Sequence, residues 1–244
     1  MRKCLALLLL IPGMVMAAGS NYPLDDVDID LTDQASLQNG AKIFMNYCLG
    51  CHQMQYQRYQ RTFNDLGIPE DLGQQYLQFT GEKVSDYITS PMPAEDAATW
   101  FGAPPPDLTL VARVRGPEWL FTYLRTFYAE EGKTFGVNNL VFPNVGMPHV
   151  LEPLQGTPRK QYNERMVDGS MQETNVFELV VDGNGALSPD EFDATMRDLV
   201  NFLEYTGEPS RLQSEAIGKK VLIFIVIFFV LAYLLKKEYW RDLK

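Results

Sequence analysis

Cys48-Leu49-Gly50-Cys51-His52 decides how the rest of the chain is read. Two cysteines three apart, followed directly by histidine, form the C-x-x-C-H haem attachment sequence. The spacing has a physical reason. Two thiols must reach the two vinyl groups on one edge of a porphyrin, and the next residue must turn an imidazole nitrogen onto the iron. About one and a half helical turns supply all three on one side. A thioredoxin-like dithiol would want a preceding strand and an α/β pattern, and neither is visible. A zinc site would need a fourth ligand, and the other histidine in the chain is His149. Two structural cysteines would leave His52 unexplained.

Upstream of this stretch, Leu37, Ala41, Phe44, Cys48 and Cys51 fall on one face of a helix that Asp33 or Ser36 can cap. Downstream, Pro91, Pro93, Pro104, Pro105, Pro106 and Pro117 make Ser90 to Pro117 read as loop wrapped around something. A helix is expected from Glu118 to about Tyr128. Leu140 to Gly156 reads as irregular, and Glu173 to Val181 as a short element. Ser188-Pro189-Asp190-Glu191 opens the last helix of the body, with serine as cap, proline at the first position and glutamate returning to the cap. Phe192, Met196, Leu199 and Leu203 form its apolar face, and Gly207-Glu208-Pro209 ends it. The expected architecture is mostly α, a haem domain with long irregular loops.

The two ends lie outside that domain. Residues 1–18 read as a signal peptide, with Arg2 and Lys3, an apolar run from Leu5 to Ile11, and small residues at Ala17 and Ala18. Cys4 leaves with it. Near the other end, Val221 to Leu235 rises only about 22 Å as a helix, against a hydrocarbon core of about 30 Å. Starting at Ala216 closes the gap, with Lys219 and Lys220 snorkelling outward. A transmembrane anchor over 216–236 and a cytoplasmic tail over 237–244 follow. Lys236, Lys237, Arg241 and Lys244 lie after the run and put that end on the cytoplasmic side. The haem domain, 19–215, is then exported, which suits covalent haem attachment.

Net charge is -10 for the whole chain, and the exported body carries 13 basic against 29 acidic residues. That excludes a nucleic-acid-binding role, which needs a basic face. It favours cationic partners, steered in a salt-dependent way.

A sixth iron ligand must come from the remaining sulfur and imidazole groups. Met45 and Met54 lie too close to His52 in sequence to reach the opposite face of the ring. Met196 belongs to the last helix. Met147, Met92 and His149 stay open; Met147 and Met92 each precede a proline in an irregular loop, and Gly146 lets backbone approach the ring beside Met147. His/Met ligation would raise the potential and close the iron to substrates. A decoy lies at 180–191, where Asp182, Asn184, Gly185 and Glu191 match part of an EF-hand loop. Val180 replaces its first carboxylate, so calcium binding is rejected.

From about Ala35 to Lys244 the chain resembles cytochrome c1, the haem subunit of the cytochrome bc1 complex (quinol–cytochrome c reductase), of bacterial type. Four stretches carry the resemblance. They are Cys48 to Met54 with Tyr56, Arg58 and Tyr59; Pro105-Pro106-Asp107-Leu108-Thr109 running into Ala112-Arg113-Val114-Arg115; the strap around Met147-Pro148; and Gly207-Glu208-Pro209 leading to the anchor and Lys236-Lys237-Glu238-Tyr239-Trp240. The resemblance implies one haem c bound through Cys48 and Cys51, with His52 and Met147 on the iron. It implies that Arg115 pairs with a haem propionate and that Pro105 and Pro106 pack on the ring. It also implies an electron relay from a Rieske iron–sulfur protein to a c-type cytochrome, beside cytochrome b, in a dimeric complex of the bacterial inner membrane. This chain alone catalyses no bond-making. It departs from the family in Trp119, where many relatives have tyrosine, and in Trp100 and Phe101, where asparagines are frequent. No cysteine is left for a disulfide across the methionine loop. The rival readings are a membrane-anchored cytochrome c serving a terminal oxidase or nitric oxide reductase, a haem sensor with an open iron position, and a calcium-binding membrane protein.

Overall fold

Asp33 accepts from the Ser36 amide at 3.0 Å and starts α1, Gln34–Ile43. In the computed structural model, which describes residues 22–81, 83–167 and 170–241, this helix does not continue to Cys51. It widens into a π-helical turn, Phe44–Cys48, where the Leu49 amide donates to the Phe44 carbonyl at 3.0 Å. The apolar stepping could not distinguish the two. Leu37, Ala41, Phe44 and Cys48 are buried in either geometry.

After the turn, β1 (Met54–Arg58) leads into α2 (Tyr59–Asp65) and α3 (Glu70–Tyr76) and pairs antiparallel with the short β2 (Tyr87–Ile88). The proline-dense stretch is only partly loop, contrary to expectation. It holds α4 (Ala94–Phe101) and α5 (Val111–Arg115), and Pro117 opens α6 (Pro117–Arg125). Pro93 caps α4 and Pro117 takes the first position of α6, where a missing N–H breaks no helical bond. α6 ends before Tyr128, because Phe127–Ala129 forms β3 against β4 (Val137–Asn139). One turn of helix, α7 (Glu152–Gln155), interrupts the next loop. The largest departure is a long hairpin, β5 (Arg159–Val167) with β6 (Ser170–Val180), where only a short element near 173–181 is expected.

The last body helix, α8 (Pro189–Gly207), matches its reading. Ser188 and Glu191 form the capping box, and Phe192, Met196, Leu199 and Leu203 are buried. α8 packs across α1. At the crossing, a Cβ on Gly40 would lie 2.1 Å from the Asp198 carbonyl oxygen, so only glycine allows this approach. Phe44 and Phe202 meet beside it with ring centroids 6.0 Å apart. Burying each such ring contributes about 1.5–3 kcal/mol. A polar seam fixes the register: Asp198 accepts from Ser36 Oγ at 2.7 Å and Asn39 Nδ2 at 2.8 Å. α6 joins α8 through Arg125, whose guanidinium grips Asp193 with two bonds, 2.6 and 2.7 Å, and reaches Asp25 at 2.6 Å.

After Glu208-Pro209-Ser210 the chain enters α9, Arg211–Tyr239. Within Ile217–Tyr239 an 18-residue window reaches mean hydropathy 2.4, and none of that window is buried. This is a single-pass membrane anchor. The expected signal peptide, 1–18, lies outside the described residues, as does the end of the expected tail.

Candidate functional site

The π-turn sets up the cysteines. It leaves the Cys48 carbonyl free to accept from both Cys51 N at 3.0 Å and His52 N at 2.7 Å, a tight turn rather than the expected run of helix. The two thiols are not joined to each other. Burial, with Cys51 nearby, pushes the Cys48 thiol up to about 12. Burial raises the Cys51 thiol as well. Neither is the low-pKa thiolate that a redox dithiol needs.

His52 is held by the proline strap. Its Nδ1 lies 2.8 Å from the Pro106 carbonyl oxygen. A carbonyl only accepts, so Nδ1 carries the proton and Nε2 keeps its lone pair. Burial lowers the imidazole pKa, against an opposite pull from Pro106 and Asp107, so the ring is neutral at pH 7. The strap is pinned in turn. Asp107 accepts from the Gln55 amide at 2.8 Å and the Thr109 amide at 2.9 Å, and Leu108 N donates to Gln53 O at 2.9 Å. Asp107 is therefore a site residue that the sequence reading missed. Its Asp-x-Thr spacing, an Asx-turn signal, could have revealed it.

A second cluster surrounds Met147. Tyr123 Oη donates to its sulfur at 3.4 Å. Burial raises the Tyr123 pKa, so the hydroxyl keeps its proton. The Tyr123 ring stacks on Trp119, 4.9 Å between centroids and 11° between planes. The Arg115 guanidinium lies over Trp119 at 5.0 Å. On the other side, Tyr123 sets its edge to Phe127 at 5.2 Å, and Phe127 stacks on His149 at 5.1 Å. His149 is buried, with Nε2 3.2 Å from the Gly156 carbonyl oxygen. Met92 is half-buried beside Ser90, while Met45, Met54 and Met196 sit in the core. Phe101 packs on Phe135, and Trp100 is largely exposed. Tyr123 was also missed. Its position four residues beyond Trp119 and eight beyond Arg115 is the signal that could have found it.

The loop carrying Met147 is braced by asparagines. Buried Asn139 accepts from Val141 N at 2.9 Å and Phe142 N at 3.0 Å, and donates to the Tyr123 carbonyl at 2.7 Å. Asn138 accepts from Asn144 N at 2.7 Å, and Asn144 sits in the left-handed region at φ 62. One chain segment, from Pro106 through α5 to Arg115, carries both the partner of His52 and the guanidinium over Trp119. The EF-hand-like stretch is occupied otherwise: Asp182 accepts from the Asn184 and Thr157 amides, and Glu191 accepts from Ser188.

These residues fit a thioether-bound haem. Two unpaired thiols precede a neutral imidazole with a free Nε2, and a thioether sulfur sits in an aromatic setting. A profile described as the Cytochrome C1 family matches residues 28–243. The chain belongs to the cytochrome c1 family. It is similar to cytochrome c1 of Allochromatium vinosum, 50% identical over 99% of each chain. A protein of Nitrosomonas europaea named ammonia monooxygenase gamma subunit is 41% identical, over 97% of this chain and 95% of its own. Mitochondrial cytochrome c1 of Saccharomyces cerevisiae is 25% identical, over 87% of this chain and 68% of its own. As a member of this family, the chain is an electron-transfer subunit of the cytochrome bc1 complex, carrying covalent haem c, rather than a membrane-anchored donor to a terminal oxidase or nitric oxide reductase. It catalyses no bond-making alone.

Proposed function

We propose that one haem c is attached through Cys48 and Cys51, with His52 Nε2 and Met147 Sδ as axial ligands. The observation that carries this is the Nδ1-protonated, Pro106-held imidazole of His52 directly after two unpaired thiols. Such a haem would supply one-electron redox chemistry, and His52 and Met147 would be the residues that hold its iron. The protein's own part is orientation and shielding. Pro106 fixes the imidazole tautomer, and Pro105 and Pro106 would pack against the haem. The Arg115 guanidinium, which lies over Trp119, would pair with a haem propionate. His149 stacks on Phe127 and holds the Gly156 carbonyl through Nε2, while its buried Nδ1 has no hydrogen-bond partner, so it stays the imidazole alternative to Met147.

Electrons then pass from a Rieske iron–sulfur protein to a c-type cytochrome, with the anchor beside cytochrome b in a dimeric complex. The chain divides into a cleaved signal (1–18), a periplasmic haem domain (19–215), an anchor (216–236) and a cytoplasmic tail (237–244), in a bacterial inner membrane. The acidic body speeds encounter with a cationic acceptor at low salt.

Met147→Leu tests the ligand set. It should keep the haem through denaturing acid and solvent, lose the weak far-red band of methionine bound to ferric iron, and fall sharply in potential. An unchanged spectrum would move the ligand to Met92 or His149. Co-purification with cytochrome b and a Rieske protein tests the assembly.

A further inference from the structure

We infer that Tyr123 is a positioning residue for the methionine ligand, acting through a hydrogen bond to the Met147 sulfur; this rests on the Met147 assignment above. The argument starts from the partner. A buried tyrosine hydroxyl ordinarily finds an oxygen, because a thioether is a weak acceptor. Three other tyrosines among the described residues keep to that rule. Tyr205 donates to Asp65 at 2.8 Å, Tyr59 bonds to Thr80 at 2.7 Å, and Tyr128 donates to Glu130 at 3.2 Å. Tyr123 alone among these is aimed at sulfur, 3.4 Å away.

Its aim is built in. Trp119 stacks on one face of the ring and Phe127 meets it from the side, while Asn139 ties the Tyr123 carbonyl to the strand before the methionine loop. The ring cannot swing away without breaking these contacts. A thioether sulfur has two lone pairs. The hydroxyl occupies one, so the other is the pair directed to a metal, and the configuration at sulfur is fixed. Donation to sulfur also withdraws electron density from it. A poorer sulfur donor stabilises the ferric state less than the ferrous, and the potential rises.

The test uses the full-length, haem-loaded protein in its native membrane complex, with Tyr123→Phe, Met147→Leu and the double variant. Tyr123→Phe should retain a shifted far-red methionine band. Its reduced-to-oxidised ratio at fixed ambient potential should fall about threefold to tenfold, about 28–59 mV for one electron. In the Met147→Leu background the same change should do nothing. An unmoved potential and band in Tyr123→Phe, with Met147→Leu losing the band, overturns the inference and leaves the ligand assignment intact. Equal shifts in both backgrounds overturn it too. A band that survives Met147→Leu fails the ligand assignment itself, and the inference with it. If Tyr123→Phe does not load haem, proton resonance of the reduced unsubstituted protein decides. A slowly exchanging tyrosine hydroxyl with a cross-peak to the Met147 methyl is expected, and its absence overturns the proposal.

Discussion

Asn139 shows how much a single amide side chain can organise. It is 1% exposed and bonds two amides and one carbonyl, from two segments that meet beside Met147. Removing it strands all three groups, each costing about 1–3 kcal/mol when buried without a partner. Asn139→Ala should therefore lower stability by about 3 kcal/mol and broaden the methionine band. Denaturant melts and the far-red spectrum of the holoprotein check both, and a melt within experimental error of the parent would remove Asn139 from this role. Such a residue was not legible beforehand. Its partners are backbone groups, and nothing in the letters Asn138-Asn139 says which amides fold back onto them. Cys48, Cys51 and His52 are readable as a candidate attachment sequence because that reading depends on local spacing alone. Pro106 was legible as a residue but not in its action, which uses its carbonyl and not its ring.

Among the elements, α8 was read from sequence almost to the residue, since the Ser188–Glu191 box is a local signal. The π-turn was not, because apolar stepping stays in phase through one widened turn. The hairpin 159–180 escaped because β5 carries Arg159, Lys160, Gln161, Asn163, Glu164 and Arg165, with no alternation of apolar residues. α4 escaped because proline was taken as a breaker where it begins a helix. The contact of α1 with α8 is the element-level feature on which the site depends, since α1 runs into the cysteine turn. Gly40→Ala would push a methyl into the Asp198 carbonyl. Overpacking of that kind costs about 3 kcal/mol, or a fall of about 6–12 °C in Tm at this chain length. Calorimetry of the holoprotein measures it. An unchanged Tm means that the two helices separate more easily than their packing indicates.

At the scale of the whole molecule, an acidic body is joined to an apolar helix. Ending the chain at Ser210 should release the haem domain into the soluble fraction with its colour retained, as fractionation and spectra would reveal; a membrane-bound truncation would mean another attachment. The join itself is short. α8 ends at Gly207 and α9 begins at Arg211, with Glu208 N bonded to Tyr205 O, Arg211 N to Glu208 O, and the Arg211 side chain to Glu204. Three residues extend no further than about 11 Å. So short and bonded a join restricts how far the redox group can travel from its anchor. Any long-range travel in the circuit has to be made by whichever molecule brings the electron or takes it away.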